Sequence, residues 1–530
     1  MKKIISLMVA AVSAATIMLF PQLTMAEKLV IVHSNDTHSL IDPDASGAGG
    51  ILQRKAVIDS IRRVEKNLTV VDAGDGVQGS LYFKFFRGAV DYPLMDQIGY
   101  DIRILGNHEF DNGLDELAQA WKKVKGAKLS ANYDFSDTPA KGIFEPYVIR
   151  KIGGKKVGFI GLNINPESLI AENNYRGMRF SDPIQTADSL AALLKKKKGC
   201  DLVVAVTHIG YRMAEGEASD ILLASRSEDI DVIIGGHTHT LVNPATPEQT
   251  PFIIPNANGK PVLVTQVGKS GKYLGKITID TDLLDKGNRS EAFSYELIPV
   301  TDRFADSQLD PKMKEILAPF KARVDSINAR CIATVRTPMD GNAQTGAFPN
   351  WSADFGLWYG NLKADSLRSA GNIIPPVDLA IMNVGGIRSS WDAGALTEGK
   401  VLETFPFSNN FVIIELKGSD LAEVFRVAAA KGGEAVSDGV LVITDGNGNY
   451  LDAMVNGKPL DPERTYTVGT INYLAWGNDG LRALANGKWL FKDDVEVSAP
   501  YLRYIDLLDS MGLPIEGESD SRFVVSVHDR

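Results

Sequence analysis

The 530-residue sequence predicts an α/β protein of two unequal domains, and three observations lead there. A chain this long exceeds one ordinary core and should divide. From Leu29 to about Ile279, short apolar runs alternate with amphipathic stretches, the pattern of strands and helices taken in turn. Around residues 300–335 a capped amphipathic helix interrupts that pattern, and after Cys331 the chain is richer in Gly and Asn and less regular, as in an α+β domain. Hydrophobic content of 44% and charged content of 23% exclude disordered and collagen-like classes.

Taken in order, the chain opens with MKKIISLMVAAVSAATIMLFPQLTMA: two lysines, an apolar stretch from Ile4 to Phe20, and a small-residue end. This is expected to be a secretory leader cut after Ala26, with a retained N-terminal anchor as the alternative. No cysteine follows the cut to carry a lipid, and no later stretch has the length of a membrane span, so no stable membrane anchor and a periplasmic or secreted location are expected. The expected division is 1–26 leader, 27–300 first domain, 301–335 linker helix and 336–530 second domain. Removing Lys2 and Lys3 takes the formal charge from −10 to −12. Such a chain repels nucleic-acid polymers, and a small phosphate-bearing molecule would be drawn by local cations, metal ions among them. Oligomeric state is left open. Cys200 and Cys331 could pair outside the cytoplasm, but two isolated buried thiols are the preferred reading.

Strands are expected at LVIV from Leu29, LTVV from Leu68, DIRIL from Asp101, KVGFIGL from Lys156, DLVVAV from Asp201 and DVII from Asp231. SLAALLKKKKG has helical periodicity, with Lys195 to Lys198 facing the negative end of the helix dipole and Gly199 as the stop. In the linker, Asp310 caps a helix with Pro311 in its first turn and an apolar stripe of Met313, Ile316, Leu317, Phe320, Val324 and Ile327. Pro319 is expected to kink or break it. VGKSGK at Val267 lacks the first glycine of a P-loop, GAGG at Gly47 is a loop before a helix near Ile51, and DGNGNY at Asp445 is a hairpin turn and not a calcium loop.

The strand ends carry the chemistry. LVIVHSNDTH brings Asp36 and His38 beyond its strand, and LTVVDAGD brings Asp75. DIRILGNHEFD brings Asn107, His108 and Asp111, DLVVAVTH brings His208, and DVIIGGHTH brings His237 and His239. Ligands in open α/β sheets gather beyond the carboxyl ends of strands, so one crevice can collect all five segments. Singly, Asn107 and Asp111 would be loop or capping residues and His208 a satisfied polar group; jointly they point to a metal site. Imidazole with carboxylate suits zinc, manganese or iron better than calcium. Gly74, Gly106, Gly235 and Gly236 are expected to provide tight turns right after strands. His33, last in its strand run, is expected to pack or to orient ligands, and His528 to lie in an exposed tail.

NDTH, GD, GNHEFD, TH and GGHTH, in this order, resemble the calcineurin-type metallophosphoesterases, and with the downstream region the chain resembles the secreted bacterial 5'-nucleotidase/UDP-sugar hydrolase family. The resemblance implies a four-layer αββα sandwich joined by the helical linker to a smaller α+β substrate-specificity domain. It implies two divalent ions drawn from zinc, manganese, magnesium or cobalt. Asp36, His38, Asp75 and His239 would hold one, and Asp75, Asn107, His208 and His237 the other, with Asp75 shared. Attack by a hydroxide lying between the ions would release phosphate, with His108 stabilising the transition state or protonating the leaving oxygen and Asp111 orienting it.

Downstream, GNLKADSLR, DLAIMNVGGIRSS, FPFSNN and TINYLAWGNDG resemble the family's specificity domain. This implies Phe407 and Tyr473 as two aromatic plates for a base, Asn409 and Asp479 as polar contacts to base or ribose, and Arg388 as a cation for the substrate. Without that resemblance, Phe407 and Tyr473 would be core residues. The family's two arginines before GNLKAD are missing, with no basic residue between Arg336 and Lys363, and GGEAVSDGV replaces another family segment. The expected partner is a small nucleotide: a nucleoside 5'-monophosphate, with UDP-sugars as a second substrate. The alternatives are a 2',3'-cyclic-nucleotide phosphodiesterase with 3'-nucleotidase activity, and a nucleotide-binding or adhesion protein without turnover.

Overall fold

A computed structural model describes residues 28–167 and 169–526, so the expected leader and His528 lie outside the described residues. Two six-stranded sheets form the first domain. One runs Phe293–Pro299, Tyr273–Asp280, Lys28–Ser34, Leu68–Asp72, Ile102–Ile104, Ala127–Leu129; the other Ile253–Pro255, Pro261–Thr265, Val232–Ile234, Leu202–His208, Lys155–Asn163, Tyr147–Ile152. Each has a parallel centre with antiparallel strands at its margin. Alternation along Lys28–Ser34 explains the layering. Leu29 and Ile31 join Val157, Phe159 and Val204 in the core between the sheets, while Val30 and Val32 pack outward on Val57, Ile58, Leu94 and Ile98 of flanking helices. Helices Pro183–Ala192 and Asp220–Arg226 cover the outer face of the second sheet with Ile184, Ala187, Leu223 and Ala224. The result is the expected four-layer αββα sandwich.

Helix Pro311–Asn328 is capped by the Asp310 carboxylate, which accepts the Met313 N–H at 3.0 Å, and it buries Met313, Leu317 and Val324. Contrary to expectation it runs unbroken through Pro319. Pro319 and Glu315 both lie on the exposed face, so the carbonyl that loses its N–H donor is on the side open to water. Helix Pro183–Ala192 continues as a π-turn over Leu193–Lys197 before Gly199, whose φ of +65° makes it the expected stop. Its lysines also form ion pairs, Lys195 with Asp231 and Lys196 with Asp229. The thiols are unpaired. Cys200 is buried as expected, whereas Cys331 opens a two-stranded ribbon and is exposed.

In the second domain the strands Ala435–Val436, Leu379–Met382, Thr465–Ile471, Asn410–Lys417 and Lys488–Glu496 lie side by side under the long helix Ala347–Ser369. Leu379–Met382 is parallel to Thr465–Ile471, and Asn410–Lys417 is antiparallel to it. The segments after the first two strands and before the third therefore emerge at one end of the sheet, which brings Arg388, Phe407, Asn409, Tyr473 and Asp479 together.

His33 packs and does not reach the ligand cluster. Its ring is fully buried, stacks on Tyr295 at 6.3 Å and, among the described residues, has no hydrogen-bond partner on either nitrogen. It lies over Gly275 of the neighbouring strand, where a Cβ would overlap the imidazole. Gly275→Ala is therefore expected to destabilise the fold by about 2 kcal/mol through overpacking, read as a lower urea midpoint at unchanged slope.

Candidate active site

Five loops leave the carboxyl ends of parallel strands and meet where the two sheets of the first domain face each other. Asp36 and His38 follow Lys28–Ser34, Asp75 follows Leu68–Asp72, and Asn107 and His108 follow Ile102–Ile104. His208 ends Leu202–His208, and His237 and His239 follow Val232–Ile234. All seven expected ligands come together. Asp36 Oδ1 lies 3.9, 3.6 and 3.8 Å from Nε2 of His38, His239 and His208; Asp75 Oδ2 lies 3.1 Å from His208 Nε2; Asn107 Oδ1 lies 3.0 Å from His237 Nδ1. Three overlapping groups, Asp36–His38–His239, Asp36–Asp75–His208 and His38–Asp75–His108, have ligand atoms within 4.8 Å of one another.

The backbone is strained to achieve this. Asp36, His38, Asp75, His237 and His239 all have φ between 46° and 83°. Such left-handed conformations cost side-chain-bearing residues about 1–3 kcal/mol each and persist where the surroundings enforce them, as at functional sites. Gly74, at φ +87°, makes the expected turn, but Gly106, Gly235 and Gly236 do not have positive φ. Their need is for space: a Cβ on Gly106 would overlap the Asp75 carboxylate, and one on Gly236 would lie 2.6 Å from His208 Nδ1.

These side chains fit a pair of divalent cations. His38 Nε2 and His239 Nε2 face each other at 2.9 Å. Burial, with neighbouring cationic groups adding to it, holds His38 well below its usual pKa and lowers His239 to about 3, so both rings are neutral at pH 7. His237 is likewise lowered to about 3 by burial and His208. His208 Nδ1 donates to the Ala73 carbonyl at 2.8 Å, which in the neutral ring leaves the Nε2 lone pair facing the carboxylates, with Asp75 Oδ2 3.1 Å away. Burial alone would lower His208, but the Asp75 and Asp36 charges push it up to about 10. Burial, with Asp75 adding to it, pushes Asp36 up to about 7; Asp75 would also rise on burial, but His208, His108 and His38 hold it well below the usual carboxylate range. The cluster favours positive charge at its centre, whether carried by a proton on His208 or by metal.

His108 Nδ1 lies 3.1 and 3.3 Å from the Asp111 carboxylate oxygens, so the expected pair is formed. Glu109 had no role in the sequence reading although it stands inside GNHEFD. Its carboxylate accepts the N–H groups of Asp75, Gly76 and Gly106 at 3.1, 2.9 and 2.6 Å and fixes the loop that carries Asp75.

A cleft of about 540 Å³ opens from this cluster toward the second domain. It is lined by His108, Asp111, His237 and His239 on one side and by Arg388, Phe407, Asn409, Tyr473 and Asp479 on the other. Phe407 stacks near His108, centroids 6.0 Å apart and planes at 24°, with the Arg388 guanidinium carbon 5.8 Å from the Phe407 centroid. Burial lowers the Arg388 pKa, and the carboxylates of Asp75, Asp111 and Asp36 oppose that effect. Asp479 accepts the Tyr473 hydroxyl and the Asn383 amide, both at 2.9 Å, and so orients the tyrosine as well as facing the cleft. Asn409 is anchored by its backbone carbonyl to Val497 N–H at 2.7 Å, leaving the side chain on the cleft wall. Trp476, also on the wall, was not among the expected residues; it follows Tyr473 by one helical turn and stacks on Trp489.

Residues 29–241 match the calcineurin-like phosphoesterase family and residues 337–486 the 5'-nucleotidase C-terminal domain family. The chain is 28% identical over 511 residues to a 5'-nucleotidase of Bos taurus, covering 87% of this chain and 85% of that one. It is 28% identical over 534 residues to protein UshA of Yersinia enterocolitica, covering 92% and 93%. Among solved structures, the 5'-nucleotidase precursor from Thermus thermophilus superposes with a TM-score of 0.78 at 28% identity, covering 94% of this chain and all of that one.

Proposed function

We propose that the chain, which matches a calcineurin-like phosphoesterase domain followed by a 5'-nucleotidase C-terminal domain, works as a 5'-nucleotidase whose residues divide the reaction as follows. It is a metal-dependent phosphoester hydrolase that releases phosphate from nucleoside 5'-monophosphates. Asp36, His38, Asp75 and His239 hold one divalent ion, and Asp75, Asn107, His208 and His237 the other. Bound there, the ions supply Lewis-acid polarisation of the phosphoryl oxygens and acidify water. Ala73 sets the tautomer of His208, and Glu109 holds the Asp75 loop in place. Arg388 adds fixed positive charge for the phosphoryl group, and His108, steered by Asp111, carries the proton for the leaving oxygen. Phe407 and Tyr473 flank the base, and Asp479 and Asn409 meet the ribose or base edge.

The observation that carries this reading is the continuous cleft running from the strained ligand cluster to Phe407 and Tyr473, which supports a bound molecule with a phosphoryl group at one end and a base at the other. With the family's two arginines missing before Gly360, Arg388 supplies positive charge at the end of the cleft that holds the ligand cluster, where it interacts with Asp75, Asp111 and Asp36. We assign the reaction to the periplasm or cell exterior on the leader-like residues 1–26; among the described residues no helix is long and apolar enough to cross a membrane.

The test is phosphate release from AMP, from UDP-glucose followed by a phosphatase, and from 2',3'-cyclic AMP. AMP is expected to be the best substrate, with UDP-glucose cleaved as well. Chelator should lower the AMP rate by about a hundredfold, and added manganese or zinc should restore it. No release from AMP by metal-loaded protein would refute the reading, and a faster reaction with the cyclic nucleotide would transfer it to the phosphodiesterase class.

A further inference from the structure

Beside Phe407 an ion pair, Lys84 with Glu496, crosses between the domains. Lys84, on helix Leu81–Phe86 of the first domain, places Nζ 3.3 Å from the Pro406 carbonyl and 3.2 Å from Glu496 Oε2. The other oxygen of Glu496 accepts the Ser408 hydroxyl at 2.7 Å. A single lysine–glutamate pair therefore grips the residues on both sides of Phe407. We infer that Lys84 and Glu496 form a clasp between the domains that positions Phe407 for the nucleobase, so that the pair sets base affinity without touching the phosphoryl group; the inference rests on the cleft being a nucleotide site.

Three features separate this contact from a surface ion pair of little worth. The Lys84 side chain is only 8% exposed, so losing either acceptor leaves a charge poorly solvated, although Glu496 itself is 44% exposed. The helix that carries Lys84 is held against the linker: Phe86 packs edge-on to Phe320 at 4.8 Å, and the Arg323 guanidinium lies 4.9 Å from the Phe85 ring centre. The lysine is thus a fixed post. The third feature is what the clasp holds. Phe407 stands 6.0 Å from His108, and that separation is part of the span a nucleoside phosphate must bridge between phosphoryl group and base. Misplacing the plate should weaken contact with the base and leave the phosphoryl end as it was.

The experiment compares AMP with ribose 5-phosphate, which carries the same ester and no base, and titrates adenosine, which carries no phosphoryl group to be hydrolysed, into the metal-loaded protein by calorimetry. In Lys84→Met the AMP KM is expected to rise about tenfold with kcat within twofold, and adenosine affinity to fall by about the same factor, the range that loss of stacking allows. Ribose 5-phosphate should keep its kcat/KM. Lys84→Arg, able to reach both acceptors, should recover most of the AMP effect, and Glu496→Gln should reproduce it in part without adding to Lys84→Met. Equal losses on AMP and ribose 5-phosphate would overturn the inference, as would an AMP KM and an adenosine affinity both within twofold of wild type. If wild-type protein releases no phosphate from AMP, the nucleotidase reading fails and the adenosine titration alone decides the clasp; no adenosine binding by wild type overturns both.

Discussion

Asp75→Asn is expected to lower kcat for AMP by about a thousandfold while adenosine affinity stays within about twofold of wild type. The variant keeps the shape and one carbonyl oxygen, so the bond that Asp75 Oδ1 accepts from the His108 backbone N–H at 2.9 Å survives, and with it the loop that Glu109 pins. What it loses is the negative charge and the second oxygen, Oδ2, which faces His208 at 3.1 Å. An amide placed there presents N–H groups toward a nitrogen lone pair, and no longer offers the charge that two cations would share. A loss of several kcal/mol of charge stabilisation corresponds to about three decades in rate. Elemental analysis of the purified variant should show fewer than two tightly held ions per chain. Phe407 and Tyr473 belong to the second domain, on the side of the cleft opposite the ligand cluster, so adenosine binding is the control for folding. Wild-type turnover with Asn at position 75 would remove Asp75 from the site and require a different shared ligand.

The ligand cluster was legible in sequence because its physical cause is local. A strand ends, a short polar segment follows, and the parallel arrangement sends five such segments to one edge. Nothing about Asp36 or His239 had to be known beyond position relative to an apolar run. Other features arise only from the assembled chain. The left-handed backbone at Asp36, His38, Asp75, His237 and His239 leaves no mark in composition, since none of these residue types is glycine. Gly106 and Gly236 were expected as turn formers, and their actual constraint is the approach of Asp75 and His208 from distant segments. Pro319 was expected to disturb its helix although it lies off the apolar stripe, and what spares the helix is that the unbonded Glu315 carbonyl is on the exposed face. Lys84 is a further case: in LYFKFFRG it looks like any surface lysine, and its partners Pro406 and Glu496 lie more than 300 residues away. The proposed base site was visible only through resemblance. Phe407, Tyr473 and Asp479 have no common spacing, and it is the antiparallel placement of Asn410–Lys417 beside Thr465–Ile471 that joins them.

His108→Ala should lower kcat for AMP by about 10²–10⁴-fold, the range for loss of a positioned general acid, with little change in KM. The Asp111 carboxylate, 3.1 Å from Nδ1, makes that nitrogen the donor and leaves Nε2 to serve the reaction. Burial alone would favour the neutral ring, but the charges of Asp111 and Asp75 outweigh it and raise the pKa, which favours the protonated form an acid needs. The ring cannot swing freely, being packed edge-on to His38 at 5.4 Å and face-on to Phe407 at 6.0 Å. If Nε2 delivers a proton to the leaving oxygen, the loss must depend on the leaving group: large for AMP, whose alkoxide needs the proton, and small for p-nitrophenyl phosphate, whose phenolate does not. If His108 serves only to stabilise charge on the phosphoryl oxygens, both substrates should lose equally. Imidazole in solution should restore part of the AMP rate in His108→Ala in the first case only. Asp111→Asn should fall between wild type and His108→Ala, because it removes the group that orients the ring and keeps the ring itself.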